Sequence, residues 1–294
     1  MAQVTSRSVQ ATQQTPTTPG KRPASWVRIV VYVFLIIFTI TSVGPLIFTF
    51  ISSFKTMGDV LAFPPTLIPH PIILSNYQVV FGNPLFLRWM LNSVIYAGGA
   101  TVLNMLFSAM AGYALGRMNF PGKNLVFTFT LAVMMIPSAI TLIPKFLIIN
   151  NFHLANTYWA LILPAMAQPF SVFIMVQFMK ILPKELEESA RIDGASRWRT
   201  FYQIILPQVK PALTAVVILT FQGAWNDFQW PLVALGTQNM YTLPLGLFFF
   251  KSTYYTQYNL LLAGSMFNTI PILILFFIFQ RYFIEGAVAS GVKG

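Results

Sequence analysis

Six stretches of the chain are almost free of charge and dense in large apolar side chains, at residues 29–54, 90–115, 125–149, 157–179, 210–232 and 260–283. Each is close to the ~20 residues that a helix needs to cross the hydrocarbon of a bilayer. The pattern predicts an all-α, polytopic membrane protein with six transmembrane helices. The first run, Ile29 to Phe54, is longer than the apolar core of a signal peptide and lacks a small-residue cleavage site, so it reads as a retained helix. The fifth is the least regular, because Pro211 opens it and Asp227 interrupts it near its end. Residues 1–24 are rich in Gln, Thr, Ser and Pro with almost no large apolar side chain, too little to offset the entropy of ordering. They are predicted to be a disordered tail, with the transmembrane domain over 25–294.

Composition supports lipid as the main solvent: 56% of residues are hydrophobic, 9% are charged, and the mean hydropathy is +0.67. The formal net charge of +11 would suggest nucleic acid as a partner of a soluble chain, but its distribution tells against that. With the tail inside, only Lys55, Arg88, Lys145 and Lys251 fall in outer segments and the other fourteen Lys and Arg fall inside. This bias predicts both termini in the cytoplasm, with no nucleic acid as partner. Having no Cys, the chain can form neither disulfides nor thiolate metal sites, and His70 and His153 cannot make a metal cluster alone. An outer loop with Pro64, Pro65, Pro69, Pro71 and Pro84, and a second outer segment rich in aromatics between the last two spans, offer surfaces to a partner.

The inner segment at about 180–210 carries much of the charge and reads as two short helices with a hinge. Pro183 suits a first helical turn, Glu185, Glu187 and Glu188 suit the positive end of the helix dipole, and Glu187 can pair with Arg191 at i,i+4. Gly194 fits a left-handed C-terminal cap. Ser196 can cap the next helix, on which Trp198, Phe201 and Ile205 form an apolar stripe before Pro207 interferes.

Within that segment Glu188, Ser189, Ala190, Gly194, Ile204, Leu206 and Pro207 match the pattern Glu, two small residues, three of any kind, Gly, nine of any kind, Ile, any, Leu, Pro. This resembles the cytoplasmic EAA loop of ABC-importer permeases, with Ser189 where the family usually has Ala, a small-for-small change expected to keep helix packing close. LRWMLNS at 87–93, GYALGRMNFPGKN at 112–124, WNDFQWPL at 225–232 and QRYFIEGAVASGVKG at the C-terminus extend the resemblance to the second permease of the maltose-type carbohydrate-uptake branch.

The resemblance implies a heterodimer with a second permease, two ATPase subunits below, and an extracytoplasmic solute-binding protein above, in the cell inner membrane. The solute implied is a di- or oligosaccharide. Lys184 to Gly194 would be the coupling helix, with Glu188, Ser189, Ala190, Asp193, Gly194 and Ala195 docking on an ATPase. The tail at 291–294 would reach between the ATPases, and the loop at about 236–258 would touch the binding protein. No phosphate loop of the form GxxxxGK followed by Ser or Thr is present, so no cofactor is expected in this chain and ATP and Mg are assigned to the partner ATPase. The chain itself is not expected to be an enzyme.

Pathway candidates are Trp225, Asn226 and Asp227. Asp227 is a functional candidate as an ionisable group near a span, although an interfacial position or a structural hydrogen bond is favoured. Trp225 and Trp230 suit an interfacial belt better than stacking on sugar, and Asn226 is balanced between a pathway and a helix–helix bond. Pro137 and Pro144 mark either a broken helix beside a pathway or a kink. Gly98, Gly99, Ser108, Ala109, Ala111 and Gly112 suit close helix packing. Two rivals are weaker: an ion-driven secondary transporter lacks an ion relay apart from Asp227, and a membrane-embedded enzyme lacks a nucleophile or metal set.

Overall fold

A computed structural model describes residues 25–248 and 256–291, with the backbone alone at Ser25 and over 281–291. The expectations for residues 1–24, Lys251 and the tail at 292–294 lie outside the described residues. Among the described residues, those up to Phe48 form a unit of their own. Its described part is the start of helix α1 (Ser25–Ser52), in which Thr39 and Thr41 turn their hydroxyls back onto Leu35 O and Ile37 O at 2.7 and 2.8 Å. Those internal bonds let two polar side chains sit among residues suited to lipid.

The second unit continues with α2 (Met57–Val60), α3 (Ser75–Gly82), α4 (Phe86–Arg117), α5 (Lys123–Met134), α6 (Ser138–Asn151), α7 (Tyr158–Ala165) and α8 (Pro169–Ile181). Then come α9 (Glu185–Ile192), α10 (Arg197–Arg199), a π-helical turn (Thr200–Ile205), α11 (Leu206–Gln208), α12 (Lys210–Trp225), α13 (Gln229–Ala234), a 3₁₀ turn (Gln238–Met240), α14 (Leu243–Leu247) and α15 (Tyr258–Gly291). Four stretches are long and apolar enough to span a membrane: Trp26–Ser52, Phe86–Arg117, Tyr158–Ile181 and Tyr258–Gln280. Two more qualify only as bent pairs, Lys123–Met134 with Ser138–Asn151 at 108° and Arg197–Gln208 with Lys210–Trp225 at 79°. The described residues therefore give four spans, or six if each bent pair crosses once.

Both bends fall at or beside prolines. Pro137 cannot donate and itself takes an extended ψ of 132°, and α5 ends on two tight bonds, Met135 N–H to Ala132 O and Ile136 N–H to Val133 O, both 3.1 Å. The third predicted span is thus a sharply broken helix, not a kinked one. The fifth also differs: it stops at Trp225, residues 226–228 leave the helix, and α13 begins afresh.

Helix α4 is the centre of the fold, packing on α7, α8 and α12. Gly112 and Gly116 let α8 approach closely: a Cβ on Gly112 would lie 2.5 Å from Met175 Cβ, and one on Gly116 3.2 Å from Met179 Cβ. The space beside Gly99 is likewise filled by Ile162, but Gly98 meets nothing within 4 Å and takes no part in close packing within this chain. Midway, fully buried Asn104 donates to Ser171 Oγ at 2.8 Å and Thr220 Oγ1 at 2.6 Å, and its Oδ1 accepts from Ser108 Oγ and the Gln168 N–H. The last bond satisfies a donor freed where α7 breaks before Pro169. Asn104 therefore ties α4, α8 and α12 together at depth.

The proline-rich loop after α1 is a folded cap. Asn76 donates to Ser53 O and Lys55 O, both at 2.9 Å, and accepts from Asn259 at 2.8 Å; buried Lys55 donates to Thr66 O. Phe81, Phe86 and Tyr77 close edge-on around Phe267 of α15.

Replacing Gly112 with Ile should cost at least ~1–3 kcal/mol through overpacking against α8. It should lower the melting temperature of the detergent-solubilised protein, whereas Gly98→Ala should leave it unchanged.

Candidate functional site

The segment at 183–208 is built from strong local signals. Helix α9 starts at Glu185, later than expected: Pro183 stays outside, and Lys184 O receives the N–H groups of Glu187 and Glu188 at 3.0 and 3.2 Å. Its end is a Schellman closure. Gly194 sits at φ 74°, its N–H bonds Arg191 O at 3.1 Å, and the Ala195 N–H reaches Ala190 O at 2.9 Å. Ser196 then caps α10 by accepting the Arg199 N–H at 3.3 Å. Pro207 cannot continue a normal ladder, and the chain takes up the mismatch as a wide π turn in which the Leu206 N–H bonds Phe201 O.

Helix α9 divides its faces sharply. Ala190 is buried, with Leu186 and Glu187 partly so, while Glu185, Glu188, Ser189 and Ile192 make an exposed stripe at i, i+3, i+4 and i+7. Within this chain Ser189 therefore takes no part in close packing, which falls to Ala190. Asp193 and Gly194 are exposed and Ala195 is half-buried. Ile192 is 86% exposed and Trp198 65%, so of the expected apolar stripe on the second helix only Phe201 and Ile205 are buried, Trp198 touching Phe201 edge-on.

Glu187 does not pair with Arg191. Its carboxylate lies 3.3 Å from Nε of Arg117, in the last turn of α4, with side chains 4% (Arg117) and 17% (Glu187) exposed. Arg117 also donates through Nη1 to Leu182 O at 2.7 Å and Met179 O at 3.3 Å, and through Nη2 to Pro183 O at 3.0 Å. These are carbonyls at the C-terminal end of α8, where a cation is also favoured by the helix dipole. An exposed i,i+4 pair is worth only about 0.3–0.5 kcal/mol, too little to hold Glu187 on Arg191 once the fold brings Arg117 within reach. Sequence reasoning missed Arg117 because its acceptors lie 62 or more residues further along the chain, beyond the reach of any local pattern.

The second candidate group surrounds the break after α12. Asp227 accepts the Tyr96 hydroxyl at 2.9 Å through Oδ2 and the Trp230 N–H at 3.2 Å through Oδ1, the latter satisfying a donor in the first turn of α13. Its two oxygens thus hold α4 and α13 together, the structural hydrogen bonding favoured for it. Trp225 is fully buried, stacks on Phe221, and donates to Asn268 O at 2.8 Å. Trp230 is also buried, donates to Ala160 O at 3.0 Å and lies under the Lys145 ammonium, 3.7 Å from its ring centroid. Both rings are packed inside the protein on either side of the break at 226–228. Asn226 is exposed and accepts from Asn268 of α15 at 3.3 Å. The following loop is pinned to α4: Trp89 donates to Gln238 O, Asn92 to Asn239 O and Tyr241 O, all at 2.8 Å, and Ser93 Oγ accepts the Leu243 N–H at 2.7 Å.

Long apolar helices, several of them packed on the buried polar face of α4, with a short amphipathic helix clamped to its end, make this an α-helical membrane protein. Residues 105–287 match the family described as binding-protein-dependent transport system inner membrane component. The chain is 40% identical over 273 residues to the arabinooligosaccharides transport system permease protein AraQ of Halalkalibacterium halodurans, covering 92% of this chain and 97% of that protein. It is 35% identical over 261 residues to the diacetylchitobiose uptake system permease protein NgcG of Streptomyces coelicolor, covering 87% and 86%. The fold is similar to that of a chain from a bacterial ABC transporter involved in the import of the acidic polysaccharide alginate, with a TM-score of 0.79, 23% identity, and coverage of 90% of this chain and 100% of that one. The chain belongs to the binding-protein-dependent family of inner-membrane transport components, the permeases of ABC importers, and is a multi-pass membrane protein.

Gly194→Ala should strain the left-handed cap by about 1–2 kcal/mol. Amide hydrogen exchange over 185–192 should then quicken, while exchange within α4 stays unchanged.

Proposed function

We infer that the chain forms one half of a heterodimeric translocation path for a di- or oligosaccharide, driven by two ATPase subunits that carry the ATP and Mg. The observation that carries this reading is the exposed Glu185, Glu188, Ser189 and Ile192 stripe on a helix whose opposite face is held by its own chain. An exposed acidic and apolar stripe on a held helix suits a protein partner. Glu188, Ser189 and Asp193 would meet the ATPase, with Ala190, Gly194 and Ala195 fixing the angle at which they do so. The relatives named for arabinooligosaccharides and diacetylchitobiose support a sugar oligomer as solute.

In this reading both termini are cytoplasmic, hydrolysis takes place in the partner, and an extracytoplasmic binding protein delivers the solute to the opposite face. ATP binding closes the ATPase dimer, α9 follows the surface on which it sits, and the spans open outward; hydrolysis resets them. Asn226, exposed beside the α12 break, is the polar side chain best placed to meet solute, with Asp227 holding the break in shape.

The test is reconstitution in vesicles with the co-purifying partners, measuring ATP hydrolysis with and without loaded binding protein. Glu188→Ala should lower the stimulation about tenfold, a size typical of coupling between sites, with helical content unchanged. Unaltered stimulation in that variant would remove α9 as the transmitting element.

A further inference from the structure

We propose that Arg117 is the positioning residue that makes α9 move together with α4 and α8, so that force on the exposed stripe reaches the spans. The proposal rests on the coupling role inferred for α9. It arises from a mechanical problem in the chain. Helix α9 is flanked by two breaks in regular helix, Leu182 to Lys184 and the Gly194 turn followed by the π turn at Thr200–Ile205, and it packs on that π turn. A direct tie to the ends of α4 and α8 would carry a push on α9 to the spans without passing through either break.

Arg117 is that tie. One guanidinium engages Met179 O, Leu182 O and Pro183 O on the α8 side and the Glu187 carboxylate on α9, while its own backbone ends α4. Its planar fork can serve several acceptors at fixed angles, which a lysine ammonium cannot reproduce. At the other end of α4, a 32-residue helix of about 48 Å, Trp89, Asn92, Ser93 and Tyr96 hold the 238–243 loop and Asp227. Movement received at Arg117 is thereby delivered as a displacement of α4 to the break beside Asn226.

The experiment uses the full complex in vesicles and reads two quantities: solute taken up per ATP hydrolysed, and ATPase subunits retained on purification. The solute is whichever of arabinotriose, maltose and diacetylchitobiose the native complex takes up. Arg117→Ala should lower uptake per ATP about tenfold, Arg117→Lys should restore part of it, and Glu187→Gln should give a smaller loss, all with ATPase retention unchanged. Glu187→Gln preserves shape and decides the matter if Arg117→Ala does not assemble. An unchanged ratio in these variants, or a loss explained wholly by missing ATPase subunits, would overturn the proposal while leaving the transport reading intact. Absence of ATP-dependent uptake by the native complex would instead overturn the transport reading and this proposal with it.

Discussion

Within hydrocarbon, any backbone group released from a helix must find its partner inside the protein, and the fold is organised around meeting that requirement at its breaks. Helix α4 supplies most of the partners. Asn104 accepts the Gln168 N–H where α7 gives way to α8, Asn92 and Trp89 take the carbonyls of the 238–241 turn, and Arg117 collects those at the end of α8. Each tie removes an unpaired group and fixes the angle of the segment that broke. A single long helix thus serves both as packing core and as hydrogen-bond source.

That arrangement suits a subunit that must move without losing its fold. Pro137 and Pro207 lie at or beside the two sharp changes of direction, and polar groups rather than continuous apolar packing hold several of the pieces at the breaks. The close approach of α8 at Gly112 and Gly116 makes α4 and α8 one rigid pair, and the amphipathic α9 hangs from that pair by Arg117. Under the coupling role proposed for α9, that attachment is where a partner's motion would enter the membrane.

Much of the architecture was legible from local pattern. The apolar runs located the spans, and the Gly194 and Ser196 caps were readable because left-handed backbone angles and first-turn donors are demands of the nearest few residues. The loop motif pointed to the family for the same reason. Less legible were the interior positions. Trp225 and Trp230 looked interfacial by composition, yet both are buried because residues 226–228 turn the chain between them. Glu187 had a suitable neighbour at Arg191 and was taken instead by Arg117.

The sequence by itself determined that the chain is helical and lipid-embedded, where its apolar segments lie, and how its exposed helix ends, since each follows from spacing within a few turns. Only the tertiary structure decided the 108° break at Pro137, the pairing of Tyr96 with Asp227 across 131 residues, and the acceptors of Arg117. Hydrophobic pattern says which residues leave water; it does not say which buried polar groups will meet, because that depends on the packing of helices distant in the chain.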